Sequence, residues 1–252
     1  MKQPFTVLEQ GDIYFFYRPR VQTEEVHHLD DIQRINIVIK GNQKPHYRLI
    51  IVGKKHLPSY DESPIEFAFV DAVYKRVKEL VFDLDSQHYE TKTRGERTLP
   101  AVRLFAEGKY ILLKDNSTVH LVYLLDQHQK LGSPQIQFNI EYTGNWIVSV
   151  KNPLILSQRG LTDKQKAQFP LKLPKKLVDR FKDRKFIPLN PPEYLNYPGT
   201  ELLLIAEKSN PEDKWGDRIR EAFASFPHLD GREALELDKS AISTKSLTGV
   251  WD

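Results

Sequence analysis

Cysteine is absent from the 252 residues. That excludes disulfides, thiolate zinc sites, iron–sulfur clusters and cysteine nucleophiles. Long hydrophobic runs are absent too, and none approaches the ~20 apolar residues that cross a bilayer as a helix. The amino end, Met1 to Gly11, has neither a cationic start nor an apolar core, so no secretory signal is expected. These absences predict a soluble, cytoplasmic protein with no membrane insertion. Motifs that would specify chemistry are missing as well. There is no Walker-type phosphate loop, dinucleotide glycine fingerprint, Gly-x-Ser-x-Gly elbow, His-Glu-x-x-His or calcium loop. No cofactor is implied.

What is present is mostly β. Net charge is only +3, against 40% hydrophobic residues, a balance at which a chain folds around a core. Runs of β-branched and aromatic residues lie between Gly, Pro and Asn punctuation. They are Asp12–Tyr17, Ile35–Ile39, Tyr47–Val52, Glu66–Asp71, Lys109–Leu113, Val119–Leu125, Gln135–Ile140, Trp146–Val150 and Glu201–Ala206, all predicted as strands. Between Lys75 and Asp85 the period switches: Val77, Leu80, Val81 and Leu84 fall on one face of a helix. Two further helices are predicted. A short one, Lys175 to Asp183, turns Leu177, Val178 and Phe181 inward. A longer one runs from the Asn210–Pro211 entry to Phe226, with Trp215, Ile219, Ala222 and Phe223 as its stripe. From His228 onward large apolar residues are sparse, which reads as a marginally ordered tail.

Spacing adds one non-trivial signal. Gly11 and Gly108 each open a strand and stand 97 residues apart, while Val52 and Val150, 98 apart, each close one. Matched spacing of this kind predicts a pseudo-duplicated unit, residues 11–52 and 108–150; chance similarity among strands is the alternative. The expected fold is α+β and β-rich, with internally duplicated antiparallel units and a few short helices. Residues 1–206 would form one domain, and 207–252 a C-terminal helix and tail.

Charge is distributed unevenly. Residues 157–186 hold ten basic and three acidic side chains, and 207–252 seven basic and ten acidic. The basic stretch, with Lys175, Lys176, Arg180 and Lys182 on its helix, could track a phosphate backbone. Phe169, Phe181 and Phe186, interleaved with it, could stack on bases. The plainer alternative makes the phenylalanines the helix anchor and the lysines its solvated face.

A second cluster spans His88 to Arg97. Here Tyr89, Arg94, Glu96 and Arg97, followed by Arg103, offer guanidinium forks suited to a carboxylate or phosphate. Glu96 would orient Arg94 or Arg97, or act as an acid or base. The alternative is an exposed loop with self-satisfied ion pairs. The pair His27–His28 fits no metal-ligand spacing, and His120, in an apolar strand, reads as a core residue. No metal is expected.

The segments GDIYFFYRPRV (11–21), YRLIIVGKK (47–55), ETKTRGER (90–97) and SVKNP (149–153) carry a resemblance. Over residues 9–206 the chain resembles a family of bacterial proteins without assigned activity, cofactor or catalytic residues. The resemblance implies a self-contained domain. It directs attention to the polar strand ends at Arg18, Arg20, Lys54, Lys55, Lys151 and Asn152, with Lys54–Lys55 mirroring Lys151–Asn152 if the unit is duplicated.

Three functions follow as expectations. The first is a binding module for an anionic small molecule or a nucleic acid. The second is an enzyme acting on a small anion at Tyr89, Arg94 and Glu96. The third is a scaffold that docks a protein through Leu247, Val250 and Trp251, which would then be exposed. The sequence is silent on oligomeric state.

Overall fold

The computed structural model describes residues 4–43, 46–93, 95–126, 128–155 and 171–252. Its strands are β1 (Thr6–Pro19), β2 (Ile32–Gly41), β3 (Tyr47–Val52), β4 (Ile65–Tyr74), β5 (Gln87–Thr91), β6 (Gly95–Leu99), β7 (Arg103–Asp115), β8 (Thr118–Leu125), β9 (Thr143–Lys151), β10 (Phe186–Pro188) and β11 (Glu201–Ala206). Eight of them close a barrel in the order β1-β2-β3-β4-β11-β9-β8-β7, every neighbour antiparallel. Closure removes the unpaired edges that an open sheet would expose. Strand β10 extends the sheet where β8 leaves β9, and β5 with β6 forms a separate hairpin outside.

The matched spacing has a structural counterpart. The barrel consists of two four-strand meanders, β1-β2-β3-β4 and β7-β8-β9-β11, joined at two seams. At one seam Gly11 lies opposite Tyr110, Ile13 opposite Gly108, and Asp12 opposite Lys109. Exchanging each residue for the one 97 places away maps this pairing onto itself. At the other seam Ala68 lies opposite Leu202, and these are the partners of Val52 and Val150. The halves are thus paired as if by a two-fold axis through both seams, though the β8–β9 register is offset by two residues from that of β2–β3. Gly11 and Gly108 share a reason for being glycine. A Cβ would meet the Lys40 carbonyl oxygen at 1.9 Å in the first and the Leu124 oxygen at 2.2 Å in the second, so the neighbouring backbone leaves no room for a side chain.

Alternation along the strands fills the lumen. Ile13, Phe15 and Tyr17 of β1, Ile35, Ile37 and Ile39 of β2, and Val148 and Val150 of β9 belong to one buried cluster. Towards the upper mouth, where β1 ends, Tyr17, Phe105, Phe138 and Trp251 stack at centroid distances of 4.5–6.1 Å. Towards the lower mouth, Arg48 points inward and forks onto Glu9 at 2.5 and 3.0 Å, while the Tyr110 hydroxyl donates to Glu9 at 2.6 Å. Asn196 accepts from Arg48 Nε at 2.9 Å, so the buried guanidinium is held on two sides. The lumen is therefore a packed core, as eight strands allow.

Short helices clad the outside. Helix α1 (Val77–Leu84) buries Leu80 and Leu84, the stripe read from its period. Together with Leu235, Leu237 and Ile242, these side chains cover Tyr14, Phe16, Val38 and Leu49. Trp215, Ile219, Phe223 and Phe226 cover Ile111, Leu113 and Val122.

Several expectations need correction. Gln135–Ile140 is not a strand. Ser133–Pro134 opens helix α2 (Ser133–Gln137), because proline suits a first helical turn. The buried Gln135 amide then donates to the carbonyls of Phe105 and Ser246 at 2.7 and 2.6 Å. The short basic helix is α3 (Lys175–Val178), with Leu177 and Phe181 buried as predicted. The long helix divides into α4 (Pro211–Trp215) and α5 (Asp217–Ala224), because Gly216 adopts φ +64°. Residues 228–252 are no marginal tail. Helix α6 (Gly231–Ala234) and the turns after it bury Leu235, Leu237, Ile242 and Ser246. Among the described residues, no helix is long and apolar enough to cross a membrane.

Candidate anion sites

The cluster around Tyr89 lies on the β5–β6 hairpin. Tyr89 faces Arg97 across the pair and Glu90 faces Glu96. Neighbouring residues on a strand point to opposite sides, so Glu96 cannot orient Arg97. Instead it stands exposed opposite another carboxylate, an unfavourable cross-strand pair. Arg97 donates to the side-chain oxygen of Gln22. Arg94 falls outside the described residues. Arg103 is set apart at the start of β7, where its Nε lies 3.3 Å from the Asp252 carboxylate and its Nη1 donates to the Ala101 carbonyl at 3.4 Å. The fork that could have held a ligand instead anchors the C-terminal segment. Tyr89 is 43% exposed, and although a hollow of about 490 Å³ beside the hairpin is lined by His88, Thr98 and Arg103, neither Tyr89 nor Glu96 lines it. The cluster has the self-satisfied character of a structural hairpin.

The basic stretch is arranged differently. Pro174 starts α3, and Leu177 and Phe181 plug the lower mouth of the barrel, where the Tyr194 hydroxyl donates to the Leu177 carbonyl at 2.7 Å. Asn152, just past β9, then fixes the backbone twice. Its N–H donates to Lys185 O at 2.8 Å and its Nδ2 to Arg184 O at 3.0 Å. The charged residues between these anchors have no choice but to face outward. Lys175, Lys176, Arg180, Lys182, Arg184 and Lys185 are all exposed.

This segment lies against the β7–β8 hairpin, whose turn passes through Asn116 at φ +52°. Between them is a concavity of about 240 Å³, lined by Lys114, Asn116, Ser117, Val119, Arg180, Arg184, Ile187, Pro188 and Asn190. Three cations line it and no carboxylate does. Of the three acids adjacent in sequence to these cations, Asp115 is buried and placed 3.4 Å from Lys214, while Asp179 and Asp183 are exposed outside the lining. The Arg184 guanidinium donates to the Arg180 carbonyl at 3.2 Å, which holds it beside its neighbour. Among the described residues, only Lys176 of this stretch has a carboxylate partner, Glu193 at 3.0 Å. Three like charges around one hollow favour a positive local potential.

The strand-end lysines singled out by the resemblance are engaged. Lys54 lies 3.1 Å from Glu66 on β4, and Lys151 lies 2.7 Å from Glu201 on β11. The two pairs differ in setting, since Lys54 is exposed and Lys151 is buried. Among the described residues the two phenylalanines of the expected base-stacking surface are engaged elsewhere. Phe181 is 1% exposed, and Phe186 packs on Phe67 with Lys185 over its ring. Phe169 falls outside the described residues. His27 and His28 are exposed around the Asp31 cap, and the described residues contain no metal-holding group.

Sequence reasoning missed two buried polar networks. His120, a core residue as expected, bonds Asn145 Oδ1 and Thr118 Oγ1, each at 3.0 Å. Asn145 in turn donates to Glu207, which is paired with Lys214 at 2.9 Å. Burial, and then the Lys214 charge, lower the His120 pKa, so the ring stays neutral. On the neighbouring strands β1 and β7, Asp12 accepts the Leu229 N–H at 3.1 Å and faces His228 Nδ1 at 3.2 Å, while Glu107 accepts the Gly231 N–H at 2.7 Å. Burial is the main cause that pushes the Glu107 pKa up to about 7, opposed by the Gly231 bond and helped by Asp230. Both carboxylates clasp the C-terminal segment. Their only advance signal was a charged residue within an otherwise apolar strand.

No family model matches this sequence, and neither a curated protein nor a solved structure matches it. Function must therefore be argued from the sites alone.

Proposed function

We propose that the protein is a binding module for an anionic ligand, held at the lower mouth of the barrel. The observation that carries this reading is the meeting of Lys114, from one hairpin, with Arg180 and Arg184, from a segment far along the chain, around a hollow without a carboxylate. Of the basic residues read from the sequence, Arg180 lines that hollow, while Lys175, Lys176 and Lys182 are exposed elsewhere on the same segment. Lys172, Lys175, Lys182 and Lys185 add exposed positive charge nearby, which speeds the approach of an anion at low salt. The enzyme reading loses its support, because Tyr89, Glu96 and Arg103 share no hollow. The scaffold reading loses most of its own, since Leu247 and Trp251 pack against the barrel and only Val250 is largely exposed.

A panel of anions tests the proposal by calorimetric titration at low and moderate ionic strength. The panel comprises sulfate, inorganic diphosphate, an acidic peptide and single-stranded DNA. The expected result is saturable binding of at least one of them that weakens with salt and is lost when Lys114, Arg180 and Arg184 are all changed to Gln. Silence across the panel at low salt contradicts the proposal.

A further inference from the structure

The anion reading leaves the ligand's chemistry open, and the shape of the hollow narrows it. Resting on that reading, we infer that the site takes a compact phosphoanion with two adjacent phosphate groups, a diphosphate, rather than a nucleic-acid strand.

Size is the first argument. A hollow of about 240 Å³ holds on the order of eight waters at roughly 30 Å³ each, which is close to the heavy-atom skeleton of a diphosphate. A mononucleotide would project its base and sugar into solvent. Charge is the second. Three cations converge, and a single monoanion would leave two of them without a counter-charge. Adjacent phosphates present enough negative charge within one small volume to neutralise all three.

Donor geometry is the third argument. Arg180 and Arg184 offer planar forks that match phosphate oxygens in pairs, while Lys114 contributes a point charge from the facing hairpin. Uncharged side chains complete the lining. Ser117 brings a hydroxyl and Asn190 a carboxamide, both able to donate to oxygens that the cations leave over. The backbone that carries them is set before any ligand arrives, because Asn152 fixes residues 184–185 and Phe181 is rooted in the core, and the Arg184 guanidinium is further held on the Arg180 carbonyl. Preorganisation of this kind lowers the ordering cost of binding.

The fourth argument is what the lining omits. Strand binders stack bases on exposed aromatic rings along a basic groove. Here the apolar lining is Val119, Ile187 and Pro188, and the described phenylalanines of the segment, Phe181 and Phe186, are turned into the core or onto the sheet. Phosphates are served and bases are not.

Calorimetric titration with inorganic diphosphate, orthophosphate, adenosine diphosphate and a dT12 strand tests the inference. Diphosphate should bind one-to-one and at least tenfold tighter than orthophosphate. Adenosine diphosphate should match it within about threefold, since the phosphates carry the affinity. Arg180→Gln or Arg184→Gln should each weaken diphosphate at least tenfold, and Ser117→Ala a few-fold, with circular dichroism unchanged because these side chains lie at the surface. If dT12 binds through Lys114, Arg180 and Arg184 while diphosphate does not, the inference falls and the anion reading stands. If neither binds, both fall. Diphosphate binding that the Arg180 and Arg184 variants leave intact also overturns the inference.

Discussion

Two parts of this molecule are rich in arginine, and the fold treats them in opposite ways. Around the β5–β6 hairpin, Arg97 is taken by Gln22 and Arg103 by Asp252. At the lower mouth, Lys114, Arg180 and Arg184 surround a hollow that no carboxylate lines. The first cluster is the denser one in sequence, yet its charges are spent on holding the chain together. The second draws its members from positions far apart, and among the described residues no carboxylate lines the hollow they share. Density of charge along a chain therefore says little about a site. What matters is whether folding has already provided the partner.

The strongest way to break the comparison is to remove the frame that keeps the two regions apart. Gly108→Ala forces a Cβ against the Leu124 carbonyl, and the backbone cannot yield without disturbing the β7–β8 pairing. A loss of about 2–4 kcal/mol in urea unfolding is expected. A change under about 0.5 kcal/mol would show that the β7–β8 approach is not tightly set.

Next in size is the clasp on the C-terminal segment. The folded-state pKa of Glu107 is raised above its unfolded value, to about 7, so the folded protein holds this proton more tightly. Its stability contribution is greatest at low pH and is lost as pH rises through about 4.5 to 7. Glu107→Gln should therefore equal the wild type near pH 5 and exceed it by about 1–2 kcal/mol at pH 8. His120 has the opposite sign. Its lowered pKa makes acidification below its usual range unfavourable to the fold, but this acts equally in both proteins and cancels in the difference. Parallel stability curves for wild type and variant from pH 5 to 8 would refute the assignment.

Smaller effects sharpen the contrast itself. Arg103→Met removes the partner of Asp252 and should cost about 1–2 kcal/mol, with faster amide exchange over residues 243–252 and no change in anion binding. Arg97→Ala should stay within about 0.5 kcal/mol of wild type, because its surroundings are exposed. An effect of several kcal/mol there would mean that the hairpin is more than a surface feature.

Much of the barrel was legible because strands announce themselves through β-branched runs and because register preserves spacing. The interval between Gly11 and Gly108 survives as a self-mapping pairing, and the glycines themselves are imposed by a close backbone approach. Closure was not legible, since β11 enters between β4 and β9 only after a long excursion. The α4–α5 break was hidden in one residue, Gly216. The Ser133–Pro134 entry of α2 was visible but outweighed by the alternation of Ile136, Phe138 and Ile140. For the sites, Arg180 and its neighbours were read correctly as outward-facing. Lys114 was missed because nothing in its own strand marks it, and Asp252 as the partner of Arg103 because nearly the whole chain separates them.

The most direct measurement compares the two regions in one titration. Diphosphate binding should be followed for the wild type, for Lys114→Gln/Arg180→Gln/Arg184→Gln, and for Arg97→Gln/Arg103→Gln. Abolished binding in the first variant and unchanged binding in the second is the predicted result. Binding that survives the first and disappears in the second would contradict the account and return the site to the hairpin.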